Sequence, residues 1–481
     1  MPLDQAYLII DIGTGNVRVA VTKKNGEILS VKRDNVRYEK DELYPDALNF
    51  RPDVLWDQIL QLSSQALSAV PGVEIVAISA SSQREGIVLL DERGKALVGL
   101  PNHDHRGREW EHSITEKGRI YSLTGRFPSS LFSAMKVVGI RNRRREIYER
   151  MRTMLSMSDW AQYQFCGVAG YEHSQASETQ LYDVARKKWS DDLCWLFGLP
   201  KAILPPLHDS GTIAGTILPE HAARLKISPR AVVIVGGADT QLAIKSTQPR
   251  PGDIVIVSGT TTPIVRIISE YLVDSKERTW TNRHVEGDNF ILEANAGVTG
   301  LNYQRLKEVF YPNEGYDLIE GELDQLSNPQ CLASLGSLVA EEKQPLTKGG
   351  FIFNAPVSHE LTRASFVWAT LWDIACCIKE NYDCLLDVTR HDTDYVWACG
   401  GGFQSKMLRQ SVATLIDKKV QVRNGFQQAS VTGGALLCSE ALREQHRQDA
   451  AMETVYPGER ERCHALYLKW KELRAGLKQI F

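Results

Sequence analysis

The sequence predicts an α/β protein made of two duplicated lobes around a central cleft, and three observations carry that expectation. First, an apolar strand, a Gly-Thr turn and a second strand occur at residues 7–21 and again at 254–266, about half of the 481-residue chain apart. Each copy carries an Arg in the strand after the turn, Arg18 and Arg266. Second, further apolar runs end in polar or Gly-rich turns and alternate with helical patterns, as strand–helix–strand crossovers do. Third, 481 residues exceed one typical domain, so each lobe can hold its own core. The expected division is residues 1–247 and 248–481, with the Pro-bearing stretch 247–252 as the link.

Composition narrows the class. A hydrophobic content of 43% and a charged content of 24% are those of a soluble globular protein. The net charge of −3 and pI near 6.4 leave no electrostatic footprint for a nucleic-acid or membrane partner. No apolar run approaches the roughly 20 residues a bilayer span needs, and the N-terminus lacks a signal-peptide pattern. Nine cysteines without a CxxC pair fit reduced thiols in a cytoplasmic setting. Cys376-Cys377 falls in an apolar helical pattern and reads as core. A homodimer is left open.

In chain order, the first turn holds the chemistry. Gly13 and Gly15 allow backbone N–H groups close to a ligand, and Thr14 and Asn16 add side-chain donors. Arg18 brings a fixed positive charge, and Asp11 at the strand end can hold a hydrated cation. Together these groups suit a polyphosphate carried by magnesium. Lys24-Asn25-Gly26-Glu27 is expected to close the next hairpin as a type I′ turn. Arg51-Pro52-Asp53 then opens a helix with Leu55, Ile59, Leu62 and Ala66 on one face. It leads to a buried strand at 75–80 that delivers Ser82-Gln83-Arg84-Glu85-Gly86 to its C-terminal end, where ligands bind in open α/β sheets. Arg84 and Glu85 can donate to and accept from the hydroxyls of a small polar molecule; the alternative is a surface ion pair. In Asn102-His103-Asp104-His105-Arg106, Asp104 is a candidate hydrogen-bond partner for that molecule with Arg106 holding the loop, against the alternative of a solvated loop. The i, i+2 histidines lack the supporting ligands of a zinc site. The Arg-rich stretch 141–145 reads as a solvated helical face.

A third strand-to-turn site, Gly236-Gly237-Ala238-Asp239-Thr240-Gln241, places Asp239 at the start of a helix. If a hydroxyl must attack a γ-phosphoryl group, Asp239 is the carboxylate to orient it and accept its proton. Its other reading is a helix N-cap, and the two are compatible. The second half repeats the pattern with Gly259-Thr260-Thr261. Residues 290–294 form a strand, and Gly297-Val298-Thr299-Gly300-Leu301 opens a helix whose N-terminus could receive phosphate or ribose oxygens. A weak pattern over 325–360 implies loops, and 369–386 is a strongly apolar helix. The strand at 395–399 runs into Gly400-Gly401-Gly402, where a tight turn needs about one glycine and the surplus favours a flat ligand against the backbone. The helix at 462–477 is expected to cap the second half.

In order and spacing, DIGTGNVR (11–18), SSQREG (81–86), DHR (104–106), GGADTQ (236–241), SGTTTP (258–263), GVTGLN (297–302) and GGGFQSKMLRQ (400–410), continuing to Thr432-Gly433-Gly434-Ala435, resemble the FGGY family of carbohydrate kinases. The likeness runs from about residue 7 to 440. It implies two duplicated actin/hexokinase-type ATPase (ribonuclease H-like) domains and ATP-dependent phosphorylation of a sugar or polyol hydroxyl. On matching positions it implies Asp239 as general base, and Asp11 with Asp239 as partners of hydrated Mg²⁺. Gly13, Thr14, Gly15, Asn16, Arg18, Gly259, Thr260 and Thr261 would hold phosphates. Gly300, Gly401, Gly402 and Ser405 would line the nucleotide side, and Gln83, Arg84, Glu85, Asp104, Asp239 and Thr240 the sugar side. Arg84-Glu85 is similar to glycerol kinases rather than to the Met-His of many xylulose kinases. Gly86 and the Asn102…Asp104…Arg106 pattern look more like autoinducer-2 kinases, which phosphorylate a five-carbon dihydroxy-dione. The alternatives are a xylulose-, glycerol- or gluconate-type kinase of the same family, or a non-catalytic ATP-binding member of the actin-like fold. A nicotinamide oxidoreductase is disfavoured because no GxGxxG follows a strand.

Overall fold

The computed structural model describes residues 4–326, 328–342, 344–444 and 451–480. In the first half, β1 (Asp4–Ile12), β2 (Asn16–Lys23) and β3 (Ile28–Asn35) form an antiparallel meander, and α1 (Pro52–Ser68) crosses over to β4 (Val73–Ser82), which lies parallel to β1. Pro52 fits the first turn of α1, whose missing N–H partner costs nothing there, and Leu55, Ile59, Leu62 and Ala66 are buried. The Lys23–Glu27 turn differs from expectation. Only Gly26 has positive φ (86°), and Lys23 N–H bonds the Glu27 carbonyl at 2.8 Å, so the hairpin closes as a type I turn with a glycine bulge. Two more strands, β5 (Ile213–Thr216) and β6 (Val232–Ala238), complete a sheet of order β5-β6-β4-β1-β2-β3, and α2 (Asp239–Ser246) follows β6 directly.

The second half rebuilds this core. The strands β7 (Ile254–Val257), β8 (Thr261–Ile268), β9 (Trp280–Arg283) and β10 (Phe290–Val298) lead to α3 (Gly300–Phe310) and the long apolar α4 (Arg363–Val388). Then come β11 (Tyr395–Cys399), α5 (Lys406–Ile416), β12 (Lys419–Arg423), α6 (Ala429–Ala441), β13 (Met452–Val455) and α7 (Arg460–Ile480). The sheet order is β9-β10-β8-β7-β11-β12-β13. In both sheets an antiparallel meander is extended by parallel strands, β1-β4-β6 in one and β7-β11-β12 in the other. Among the described residues of 331–353, two short strands pair, Cys331–Ser334 with Gly350–Phe353. Cys376 and Cys377 are fully buried in the α4 core, and α7 packs on the second lobe, where Trp470 Nε1 donates to Asp373 at 2.8 Å.

Two helices cross between the lobes. Ala243 and Ile244 of α2 are buried with Val255, Val257 and Trp397 of the second sheet. Val431, Ala435 and Cys438 of α6 are buried with Tyr7, Ile9, Ala77 and Ile234 of the first. The helices meet so closely that a Cβ on Gly433 would stand 2.0 Å from the Leu242 carbonyl oxygen. Among the described residues no helix is long and apolar enough to cross a membrane.

Candidate active site

The three parallel strands of the first sheet end side by side, and register fixes what meets there. Asp11 pairs with Arg18 across the β1–β2 hairpin and with Ser81 on β4, while Ser82 pairs with Ala238 on β6. Asp11, the 81–85 loop and Asp239 therefore stand in a row along one sheet edge. The Asp11 carboxylate, only 1% exposed, accepts from Ser81 Oγ and Ser430 Oγ, each at 2.8 Å, and lies 3.2 Å from the Arg18 guanidinium. Arg18 also donates to Gln428 at 2.9 Å.

Those last contacts cross the lobes and explain how two distant loops reach one cleft. Gln428 and Ser430 hold the first hairpin, and the neighbouring Phe426 carbonyl accepts from Gly400 N–H at 2.7 Å. Gly400 in turn rests on Ser258, the residue before the second Gly-Thr turn. A short bridge, 426–430, thus links Gly13-Thr14-Gly15-Asn16 to Gly259-Thr260-Thr261. Gly259 and Thr260 are exposed, Thr261 is half-buried, and Gly15 is open on its Cβ side. Buried Asn16 Oδ1 and Arg18 Nε have no hydrogen-bond partner among the described residues. In the second loop, the Thr260 carbonyl accepts from Thr299 and Leu301 N–H at 3.2 and 3.3 Å, and a Cβ on Gly300 would meet Gly259 O at 2.0 Å. This seats the turn on the N-terminus of α3, where backbone N–H groups and the helix dipole favour anions.

Asp239 is the first residue of α2, and its Oδ1 accepts from Thr240 N–H at 2.7 Å and Thr240 Oγ1 at 3.3 Å. Burial in the cleft floor pushes its carboxyl up to about 7, and the nearby Asp11 charge adds to the effect while Arg84 opposes it. The two neighbouring carboxylates form a place for a cation. Among the described residues no cluster of three or more metal-ligating side chains exists. Asp11 and Asp239 therefore fit a Mg²⁺ that keeps its waters and takes phosphate oxygens, not one caged by protein.

Beside them, Gln83 is buried and accepts from Asn102 N–H at 3.0 Å, and Asn102 Nδ2 donates to Thr14 Oγ1 at 2.9 Å. Glu85 adopts left-handed φ (61°), a strained conformation for a non-Gly residue, and is buried. Arg84 forms a buried cross-lobe pair instead of a surface one: it donates to Glu293 Oε2 and Oε1 at 2.6 and 3.1 Å, with Glu178 at 3.9 Å. Burial opposes the Glu293 charge, but Arg84 outweighs it and holds that carboxyl below its ordinary range. Arg126 bonds Glu178 at 2.6 Å and Asn282 at 2.8 Å and stacks 4.4 Å over Trp280. Asp104 is fully buried, accepting from Leu48 N–H at 2.9 Å and Arg106 Nε at 2.8 Å. Lys136 holds the same loop through the Asn102 and Asp104 carbonyls.

Three further positions have local duties. Ser405 caps α5 through Leu408 N–H at 3.3 Å. Of the three glycines, Gly400 (φ 97°) and Gly402 are needed for packing, since a Cβ would stand 2.4 Å from Ser258 O and 2.1 Å from Ser258 Oγ. Gly401 alone is open, its nearest neighbour Gln404 Nε2 at 3.8 Å. The surplus glycine is therefore one residue, not two. Sequence reading missed Glu293, Glu178, Arg126, Lys136, Ser430 and Gln428. A carboxylate inside the apolar run Phe290-Ile291-Leu292-Glu293-Ala294 was the available signal, because a buried charge demands a partner.

Models of the FGGY family of carbohydrate kinases match residues 6–245 with the N-terminal domain and 332–442 with the C-terminal domain. The chain is 47% identical over 474 residues to a Bacillus subtilis protein named "Putative sugar kinase YoaC", covering 98% of this chain and 97% of that one. It is 28% identical over 318 residues to the autoinducer-2 kinase of Salmonella paratyphi A, covering 64% and 60%. A xylulose kinase from Lactobacillus acidophilus with bound ligand superimposes with a TM-score of 0.84 at 16% identity, over 98% of both chains. Plasmodium falciparum glycerol kinase with ADP gives 0.83 at 16% identity, again over 98% of both.

Proposed function

Because the chain belongs to the FGGY family of carbohydrate kinases, and so is a sugar kinase of the two-lobed actin/hexokinase-like fold, we propose that it transfers the γ-phosphoryl group of ATP to a hydroxyl of a small sugar-like molecule of the autoinducer-2 class. The observation that carries the reading is Asp239, poised near neutrality beside Asp11 at the edge shared by both phosphate loops. Asp239 accepts the proton of the acceptor hydroxyl as that oxygen attacks phosphorus, and the γ-phosphate bond to ADP breaks. Gly13 to Asn16 with Arg18, and Gly259 to Thr261 on the α3 N-terminus, hold the phosphate oxygens and balance their charge. When bound, Mg²⁺ supplies charge neutralisation of the phosphates, with Asp11 and Asp239 as its protein partners. Gly300 and Gly401 line the nucleotide side, while Gly402 and Ser405 shape that wall.

On the sugar side, Gln83, Glu85, Asp239 and Thr240 supply the contacts, and Arg84 and Asp104 set the wall through Glu293 and Arg106. The division at 247/248 separates the sugar-side lobe from the nucleotide-side lobe, and the enzyme works in the cytoplasm. The preference for the dihydroxy-dione rests on Gly86 and on the Asn102…Asp104…Arg106 pattern, with Asn102 standing at the first phosphate turn, and has support from the autoinducer-2 kinase likeness. ATP consumption measured against the dihydroxy-dione, pentuloses, glycerol and gluconate tests it. Turnover highest with the dione is the expected result. A gluconate or pentulose optimum would reassign the substrate, and no turnover with any of them would refute the reading.

A further inference from the structure

The Gly236-Gly237 pair ahead of Asp239 lies inside β6, not in a turn after it. Ile234 stands opposite Ser79 of β4, but Gly237 stands opposite Ser81, so β6 carries one extra residue as a bulge. A bulge bends its strand and re-aims the side chains beyond it. Here the backbone is pressed onto β4: a Cβ on Gly236 would stand 1.9 Å from the Ala80 carbonyl oxygen.

Buried N–H groups where the register slips still need acceptors, and two buried side chains supply them. Gln162, on the helix Met157–Cys166, accepts from Gly236 N–H through Oε1 at 3.0 Å. Ser174, on the one-turn helix His173–Ala176, accepts from Ala238 N–H through Oγ at 3.0 Å. The Ser174 hydroxyl is held in one orientation, because it donates to Glu172 Oε2 at 2.5 Å. That buried carboxylate also accepts from Ser174 N–H, Gln175 N–H and Ser210 Oγ. With its proton committed to Glu172, Oγ turns its lone pairs to Ala238 N–H. The same segment reaches the neighbouring strand. Gln175 Nε2 donates to Ser82 Oγ at 2.9 Å, and Ser82 pairs with Ala238. One buried polar cluster thus fixes the end of β4, which leads to Gln83 and Glu85, against the end of β6, which leads to Asp239.

We propose that Ser174 and Gln162 are positioning residues for Asp239, a role that depends on Asp239 being the base. Ser174→Ala strips the acceptor from a buried N–H one residue before Asp239, and a base displaced by a fraction of an ångström loses rate while phosphate contacts stay in place. ATP consumption is measured with the fastest acceptor among the dihydroxy-dione, pentuloses, glycerol and gluconate, for the parent, Ser174→Ala, Asp239→Asn and the double variant. Ser174→Ala should lower kcat about tenfold or more with the KM for ATP within about twofold of the parent. On the Asp239→Asn background the same change should move the residual rate less than about twofold, since there is no base left to misplace. If Ser174→Ala does not fold, the cycle is run with Gln162→Met, and the same two results are expected. An unchanged kcat, a loss shared equally with the KM for ATP, or the same loss on both backgrounds would overturn the proposal and leave the base in place. Parental kcat in Asp239→Asn, or no turnover of any acceptor by the parent, would refute the base itself and the positioning role with it.

Discussion

Replacing Glu293 with Met should destabilise the protein far more than replacing Glu293 and Arg84 together. The single change leaves the Arg84 guanidinium buried, with Glu178 at 3.9 Å and Glu85 as nearby counter-charges. Breaking a buried pair by removing one partner costs about 3–5 kcal/mol, and the residual Glu178 attraction puts this case near about 3 kcal/mol. A protein of 481 residues has an unfolding entropy of about 1 kcal/mol/K, so the melting temperature should drop by about 3 °C. The double change Arg84→Met with Glu293→Met removes both charges and fills the space with apolar atoms, and should recover about 2 kcal/mol of that loss. Calorimetric melting of the parent, the two single variants and the double variant closes the cycle. Equal losses for Glu293→Met and the double variant would show that the pair does not act as a unit, and the wall built on it would have to be redrawn.

Four further outcomes follow from the same geometry. Asp239→Asn should lower kcat by about 10³-fold while ATP binding by fluorescence titration persists, because the loss is of proton acceptance and not of phosphate contacts. With the Asp239 carboxyl raised from 3.8 to about 7, kcat/KM should fall as pH drops through about 7, and a flat profile from pH 6 to 8 would remove Asp239 as base. The stability sign is opposite: this group favours the folded state fully below its unfolded value near 3.8, and the benefit is lost as pH rises through about 7, which pH-dependent denaturation reads. Gly401→Ala should raise the KM for ATP without moving the melting temperature, whereas Gly402→Ala should lower the melting temperature because its Cβ meets Ser258.

Much of this was legible in the sequence for a definite physical reason. Strands that end in Gly-rich turns announce themselves locally, so the Asp11, Gln83, Asp239, Gly259 and Gly400 turns and the duplicated sheets could be found from pattern alone. What could not be read was pairing across the lobes. Arg84 meets Glu293, and Arg18 meets Gln428, through contacts between positions hundreds of residues apart, which no local spacing encodes. The same limit explains Gly402: its need for a missing side chain comes from Ser258, just past the end of β7. Asp104 was read as facing a substrate, and its bond from Leu48 N–H, 56 residues upstream, is another contact that local spacing does not encode.

The exchange of α2 and α6 has a consequence for how the molecule can be taken apart. Each helix is threaded by the chain from one half yet shelters the other half's strands, so severing the backbone at 247–252 would not release two self-sufficient pieces. Either fragment made alone would bare a greasy strip where its borrowed helix belongs, and would aggregate or recruit the missing fragment. The doubled architecture is therefore an interlocked clasp, fastened where Gly433 lies against the Leu242 carbonyl.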